Sequence, residues 1–365
     1  MIKKMILSVS LVTLPLVSFG ANDPALEKKI GQMLMVGFHG TSAGKNSQIC
    51  KDIQQYDVGA VILFDYNPVN KSKPKNIASV KQLKNLTKQL QSCSSDGKLL
   101  IAVDQEGGRV QRLKSKYGFY GKFPKASDVI KMDQSKIKAT YTKMSRELKS
   151  VGINYDLAPV VDLDINKKNH VIHGLGRSFG KDPKIVAKYA STFIDAMHSN
   201  GVLTSIKHFP GHGSSVGDTH KGFVDVTNLW KEVELEPYRL LKDKADTVMV
   251  AHVFNKKLDA KYPASLSHET ITKMLRWKLG YHGVVITDDL QMGAISKKYG
   301  LKNTLKLAIN AGDDILLIGN QLDPRKVVST KTLVDTISAL VKSGDIKEET
   351  IHKAYKRIQG LKKKL

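Results

Sequence analysis

Eight short apolar runs, separated by longer lysine-rich amphipathic segments, constrain the fold of this chain more than any other feature. They fall at residues 33–38, 58–64, 99–103, 153–157, 202–206, 247–250, 283–286 and 315–318. Near-continuous apolar strands alternating with helical segments are what a parallel sheet covered on both faces requires. Eight such units predict an α/β fold, a single (β/α)8 TIM-type barrel over residues 21–365. An open doubly wound sheet is the alternative, and the polar residues that follow the runs decide against it. Asp104 follows the third run, Asp156 and Asp162 the fourth, Lys207 and His208 the fifth, His252 the sixth, Asp288 and Asp289 the seventh, and Asn320 the eighth. Only a closed barrel brings the C-terminal ends of so many strands to one mouth. An open sheet would gather them at one switch point. The segment 348–365 reads as an amphipathic closing helix, and neither an internal repeat nor a low-complexity linker marks a second domain.

The N-terminus has a different character. Lys3 and Lys4 precede an apolar stretch from Met5 to Phe19 that ends in Ser18-Phe19-Gly20-Ala21. That pattern fits a secretory signal peptide over residues 1–20, cleaved after Gly20, and a retained N-terminal anchor is the alternative. The mature chain is therefore expected to be exported, periplasmic or extracellular, with no stable membrane span after removal of the signal. No cysteine follows the apolar stretch to take a lipid. The formal charge of +24 is nearly all lysine, scattered over the helical segments. Without an arginine-aromatic stripe the excess reads as a solvated basic surface with no nucleic-acid partner, compatible with attraction to anionic envelope polymers. Cys50 and Cys93 are an even pair in an exported chain, which permits a disulfide; sequence does not show whether they approach.

Chemistry concentrates in a few stretches. Lys207-His208-Phe209-Pro210-Gly211-His212-Gly213, running on to Asp218-Thr219-His220, packs three histidines, a lysine and a carboxylate into a glycine-rich segment directly after an apolar run. Glycines at 211, 213 and 217 permit positive φ, and so many polar side chains resist burial, so the segment reads as an exposed, mobile loop carrying chemistry. Val284-Val285-Ile286-Thr287-Asp288-Asp289-Leu290-Gln291-Met292 places a carboxylate pair where a buried strand emerges, and Asp289 there suits a helix N-cap. The turn Asp104-Gln105-Glu106-Gly107-Gly108-Arg109-Val110-Gln111-Arg112 and the segment Gly174-Leu175-Gly176-Arg177-Ser178-Phe179-Gly180 complete the set.

Together these stretches resemble family 3 glycoside hydrolases, in the branch of β-N-acetylhexosaminidases that remove GlcNAc from cell-wall sugars. The resemblance implies a retaining exo-β-N-acetylglucosaminidase working through a covalent glycosyl-enzyme intermediate, with Asp288 as nucleophile. It puts the acid/base role on His220, paired with Asp218. Imidazole titrates near neutrality, and a neighbouring carboxylate orients its tautomer, so the pair suits proton transfer. Asp104, Arg112, Arg177, Lys207 and His208 match the residues that hold the sugar. Arg109 and Glu106 have a plainer reading as partners of each other, His212 as a residue that shapes the loop, and His252 as one that lines the site. No metal or organic cofactor is expected, because nucleophile and acid/base both come from the protein. The expected partner is a GlcNAc-containing oligosaccharide or muropeptide. A β-glucosidase or β-xylosidase of the same family, or a catalytically silent sugar-binding envelope protein, are the alternatives. The departures from the family pattern are Thr287 for serine before Asp288 and the export signal.

Overall fold

The computed structural model describes residues 23–323 and 327–365. The signal peptide expected over residues 1–20 lies outside the described residues.

Each apolar run yields one parallel strand: β1 Leu34–Gly37, β2 Ala60–Ile62, β3 Leu100–Val103, β4 Tyr155–Asp156, β5 Leu203–Phe209, β6 Thr247–Val250, β7 Val284–Thr287 and β8 Leu316–Ile318. Consecutive strands pair in parallel from β1 to β7, and β8 pairs with β1 through Leu34↔Leu316 and Val36↔Ile318. A parallel bridge between Ile286 and Ile315 joins β7 to β8 and closes the ring. The strands are buried throughout, as an apolar run covered on both faces requires. Several of the outer helices begin on side-chain caps. Asp23 accepts from the Ala25 amide ahead of α1 (Pro24–Gln32), Ser47 caps α2 (Gln48–Tyr56), and Ser79 with Gln82 forms a capping box at the start of α3 (Val80–Cys93). The closing helix runs Glu348–Lys362 and buries Ile351, Ala354, Ile358 and Leu361. Among the described residues no helix is long and apolar enough to cross a membrane.

One strand departs from expectation in a way that bears on the site. β5 extends past Ile206 to Phe209, so Lys207 and His208 belong to the strand. Its register against β6 slips between Lys207 and Phe209, a bulge that re-aims successive side chains at the barrel mouth.

A disulfide joins Cys50 of α2 to Cys93 of α3, with Cα atoms 5.3 Å apart across a sequence separation of 43. Closing a loop of that length stabilises the folded state by about 4 kcal/mol in the chain-entropy view. Thiol titration of denatured, unreduced protein should find no free sulfhydryl, and reduction should lower the thermal midpoint by roughly 5 °C. Two titratable thiols before reduction would remove the bridge from the account.

Candidate active site

The C-terminal ends of the strands surround a cavity of about 620 Å³, and Asp104, Arg112, Arg177, Lys207, His208, Asp218, His220 and Asp288 all line it. Every residue singled out in the sequence for catalysis or sugar binding therefore reaches one space. Ile62, Phe64, Leu157, Met249 and Leu317 add an apolar floor.

One wall is an alternating cluster of cations and carboxylates. The Lys207 ammonium lies 3.1 Å from Asp104 Oδ1 and 2.9 Å from Glu106 Oε1. Arg112 Nη2 donates to Asp104 Oδ2 at 2.8 Å, while Arg177 grips Glu106 with Nε at 2.8 Å and Nη2 at 2.7 Å. Burial disfavours charge on these carboxylates, but Lys207 with Arg112 outweighs it at Asp104, and Arg177 with Lys207 at Glu106, so both stay below the ordinary range. Glu106 is thus the partner of Arg177 and Lys207, which corrects the expected Glu106–Arg109 pair. Arg109 is exposed at the cavity rim. A bidentate guanidinium–carboxylate pair fixes the orientation of both groups, leaving Asp104, Arg177 and His208 presented to the cavity in defined positions.

His208 is oriented from behind by Asp162, whose Oδ2 lies 2.7 Å from Nδ1. Asp162 Oδ1 accepts from the His212 amide at 2.8 Å, and His212 Nδ1 lies 2.7 Å from Ser215 Oγ. These contacts give the His208 and His212 side chains and the Ser215 hydroxyl partners inside the protein, which lets the stretch 208–215 be buried rather than exposed. The loop opens to solvent only from Val216 onward. Burial holds the His212 imidazole down at about 4, so it is neutral and shapes the loop, as expected of it. Of the three loop glycines only Gly211 takes positive φ, at 117°. Gly213 is required by close approach instead: a Cβ there would lie 1.9 Å from the Leu163 carbonyl oxygen.

Asp288 leaves β7 with its amide bonded to the Val250 carbonyl at 3.0 Å, and its Oδ1 accepts from the Asp289 amide at 2.8 Å. Burial alone would raise its pKa; His252, His208 and His220 around it outweigh that and hold the carboxyl below the usual range, ionised. Its neighbour differs. Burial pushes Asp289 up to about 6, and its Oδ1 accepts from the Gln291 and Gly319 amides at 3.0 and 3.2 Å. Asp289 is therefore a tie between the β7 exit and β8, not a helix N-cap; the following helix, Gly293–Ser296, starts after Met292.

His220 and Asp218 sit on the outer part of the loop. Asp218 Oδ1 accepts from the His220 amide at 3.0 Å and lies 2.9 Å from His220 Nδ1. The imidazole is 55% exposed, so with Nδ1 engaged its Nε2 is the nitrogen free to exchange a proton with a bound group. Burial opposes ionisation of Asp218, and the His220 amide and ring outweigh it, keeping the carboxylate charged.

Several strand-end residues turn out to hold the scaffold. Asp156 Oδ1 accepts from the Gln105 amide at 2.9 Å and burial raises its pKa strongly. His252 bridges Ser265 Oγ at 2.6 Å and the Asp289 carbonyl at 2.9 Å, behind the site rather than lining it. Asn320 donates to the Gly37 carbonyl at 3.0 Å. Two supporting residues had no sequence signal. Lys75, one lysine among many, is buried and donates to the carbonyls of Gly319 and Asn320 at 3.1 and 2.7 Å, and burial lowers its pKa to about 7. Glu234, raised to about 7 by burial, accepts from the Ser214 amide at 3.2 Å beneath the loop. Among the described residues no three His, Cys, Asp or Glu side chains are grouped to hold a metal ion.

A closed parallel barrel with paired carboxylates, an oriented imidazole and fixed cations at the C-terminal mouth defines an α/β-barrel enzyme site. The chain belongs to glycosyl hydrolase family 3, whose N terminal domain matches residues 25–361. A beta-hexosaminidase of Tolumonas auensis is 38% identical over 271 residues, 72% of this chain and 76% of its own length. Beta-hexosaminidase A of Pseudoalteromonas piscicida is 31% identical over 339 residues, 86% of this chain but 54% of its own length. Among solved structures, a family 3 beta-N-acetylglucosaminidase from a Paenibacillus species superposes with a TM-score of 0.81 at 33% identity, covering 93% of this chain and 62% of that one. The beta-N-acetylhexosaminidase of Beutenbergia cavernae gives 0.81 at 29% identity, covering 94% of this chain and all of that one. The chain thus spans about half the length of the Pseudoalteromonas relative.

Proposed function

We propose that this chain is a retaining exo-β-N-acetylglucosaminidase that removes terminal β-linked GlcNAc from cell-wall glycans or muropeptides. The observation that carries the reading is the His220–Asp218 pair lining the same cavity as the ionised Asp288. Asp288 attacks the anomeric carbon and forms the glycosyl–enzyme bond while the imidazolium of His220 gives its Nε2 proton to the departing oxygen. The neutral imidazole then takes a proton from water as that water attacks the same carbon, which frees the sugar and restores Asp288. Asp104, Arg177, Lys207 and His208 hold sugar hydroxyls, with Arg112 fixing Asp104. Export fits this substrate, and the Cys50–Cys93 bridge supports it, because structural disulfides persist in oxidising compartments.

The test is hydrolysis of p-nitrophenyl β-GlcNAc beside the matching glucoside and xyloside, with the anomeric configuration of the first-formed sugar read by NMR. The GlcNAc substrate should lead in kcat/KM by at least about 100-fold, with β product formed first. Preference for glucoside or xyloside would favour a different specificity in the same family. Binding without turnover of any of them would favour a sugar-binding protein.

A further inference from the structure

The loop that carries His220 is tied to the segment that carries Asp288. The Gly293 amide donates to the His220 carbonyl at 3.3 Å and the Ala294 amide to the Thr219 carbonyl at 3.2 Å. Lys297 Nζ donates to the Lys221 carbonyl at 2.9 Å. Beyond these bonds, Phe223 packs against Phe254 at 5.2 Å between ring centroids, and the Lys298 ammonium lies 5.3 Å from the Phe223 ring. The receiving side is fixed. Between Asp288 and Gly293 the Leu290 amide bonds to Leu317 of β8 at 3.0 Å, and the Met292 amide to the Asp289 carbonyl at 2.9 Å.

We propose that Gly293 and Lys297 are positioning residues for the acid/base group, docking its loop onto the turn that follows the nucleophile. The inference rests on the role proposed for His220. A retaining reaction needs the nucleophile and the acid/base held at a set separation across the sugar, and a displacement near 1 Å can cost about 100-fold in rate. An exposed loop has no intrinsic means of holding that separation; three hydrogen bonds to a segment that begins five residues beyond Asp288 supply it. Glycine at 293 lets the loop approach closely. A Cβ there would stand 3.0 Å from the carbonyl oxygens of both His220 and Lys221, and Gly293 lies outside the positive-φ glycines, so alanine adds only the methyl group.

Gly293→Ala, Lys297→Met and Lys297→Arg in the full chain test this. Hydrogen exchange of the amides at 217–223, measured without substrate, should quicken in Gly293→Ala and Lys297→Met and return towards wild type in Lys297→Arg. Against aryl β-GlcNAc glycosides, Gly293→Ala should lose about 10-fold in kcat where the leaving group needs protonation and little where it does not. Unchanged exchange in both Gly293→Ala and Lys297→Met would overturn the docking. Faster exchange with an equal kcat loss across the series would overturn the positioning role. If wild type fails to cleave any GlcNAc glycoside, the proposed function fails, and the exchange arm still decides whether the loop is docked.

Discussion

Asp288→Asn should lower turnover by at least about 10³-fold while leaving the barrel folded, because the amide keeps the shape of the side chain and removes the carboxylate proposed as nucleophile. Its oxygen can still accept from the Asp289 amide. The substitution should nevertheless cost some stability at neutral pH, and the sign follows from the surroundings of the carboxyl. Asp288 is held below its ordinary pKa in the folded chain by His252, His208 and His220, against the opposing effect of burial. Its charge therefore stabilises the folded state above the ordinary carboxylate range, and that contribution is lost as pH falls towards the folded value. The gap in thermal midpoint between wild type and Asp288→Asn should accordingly narrow on acidification. Chromogenic assay and thermal melts on the same preparations check both halves. Activity above a few per cent of wild type in a folded Asp288→Asn protein would take the nucleophile role away from this residue.

The barrel was legible because its strands are buried on both faces, which writes each one into the chain as a local apolar run; only the extents shifted, most of all at β5, where Lys207 and His208 continue the strand. The residues facing the cavity were legible for a related reason: strand ends fall at fixed places in the alternation. What stayed hidden is pairing across the mouth. Glu106 reaches Arg177 across 71 residues of sequence, when Arg109 three residues away looked the simpler partner, and His208 takes Asp162 from 46 residues back. Such choices are set by ring closure and by which strand ends become neighbours. The same holds for burial of residues 208–215, since a polar stretch looks exposed until Asp162 and Ser215 are found to satisfy it. Lys75 and Glu234 left no trace in the pattern at all; a buried lysine or glutamate differs from a surface one only by what surrounds it.

His220→Ala gives the second large effect, and its size should depend on the substrate. With the imidazole gone, both formation and breakdown of the proposed glycosyl-enzyme should slow by about 10²- to 10⁴-fold wherever proton transfer contributes. A leaving group acidic enough to depart as its anion needs no proton in the first step, so the penalty there should shrink while hydrolysis of the intermediate stays slow. The glycosyl-enzyme on Asp288 should then accumulate, visible as a burst of released phenol and as added mass on the intact protein. Asp218→Ala should give a milder form of the same pattern. Its Oδ1 holds both the amide and the Nδ1 of His220, so its loss disturbs the orientation and charge of the imidazole and leaves the ring in place. The measurement is kcat across aryl β-GlcNAc glycosides of rising leaving-group acidity for wild type and both variants. Equal losses across the series would mean that His220 binds sugar or shapes the loop, and that the proton comes from another residue of the cavity.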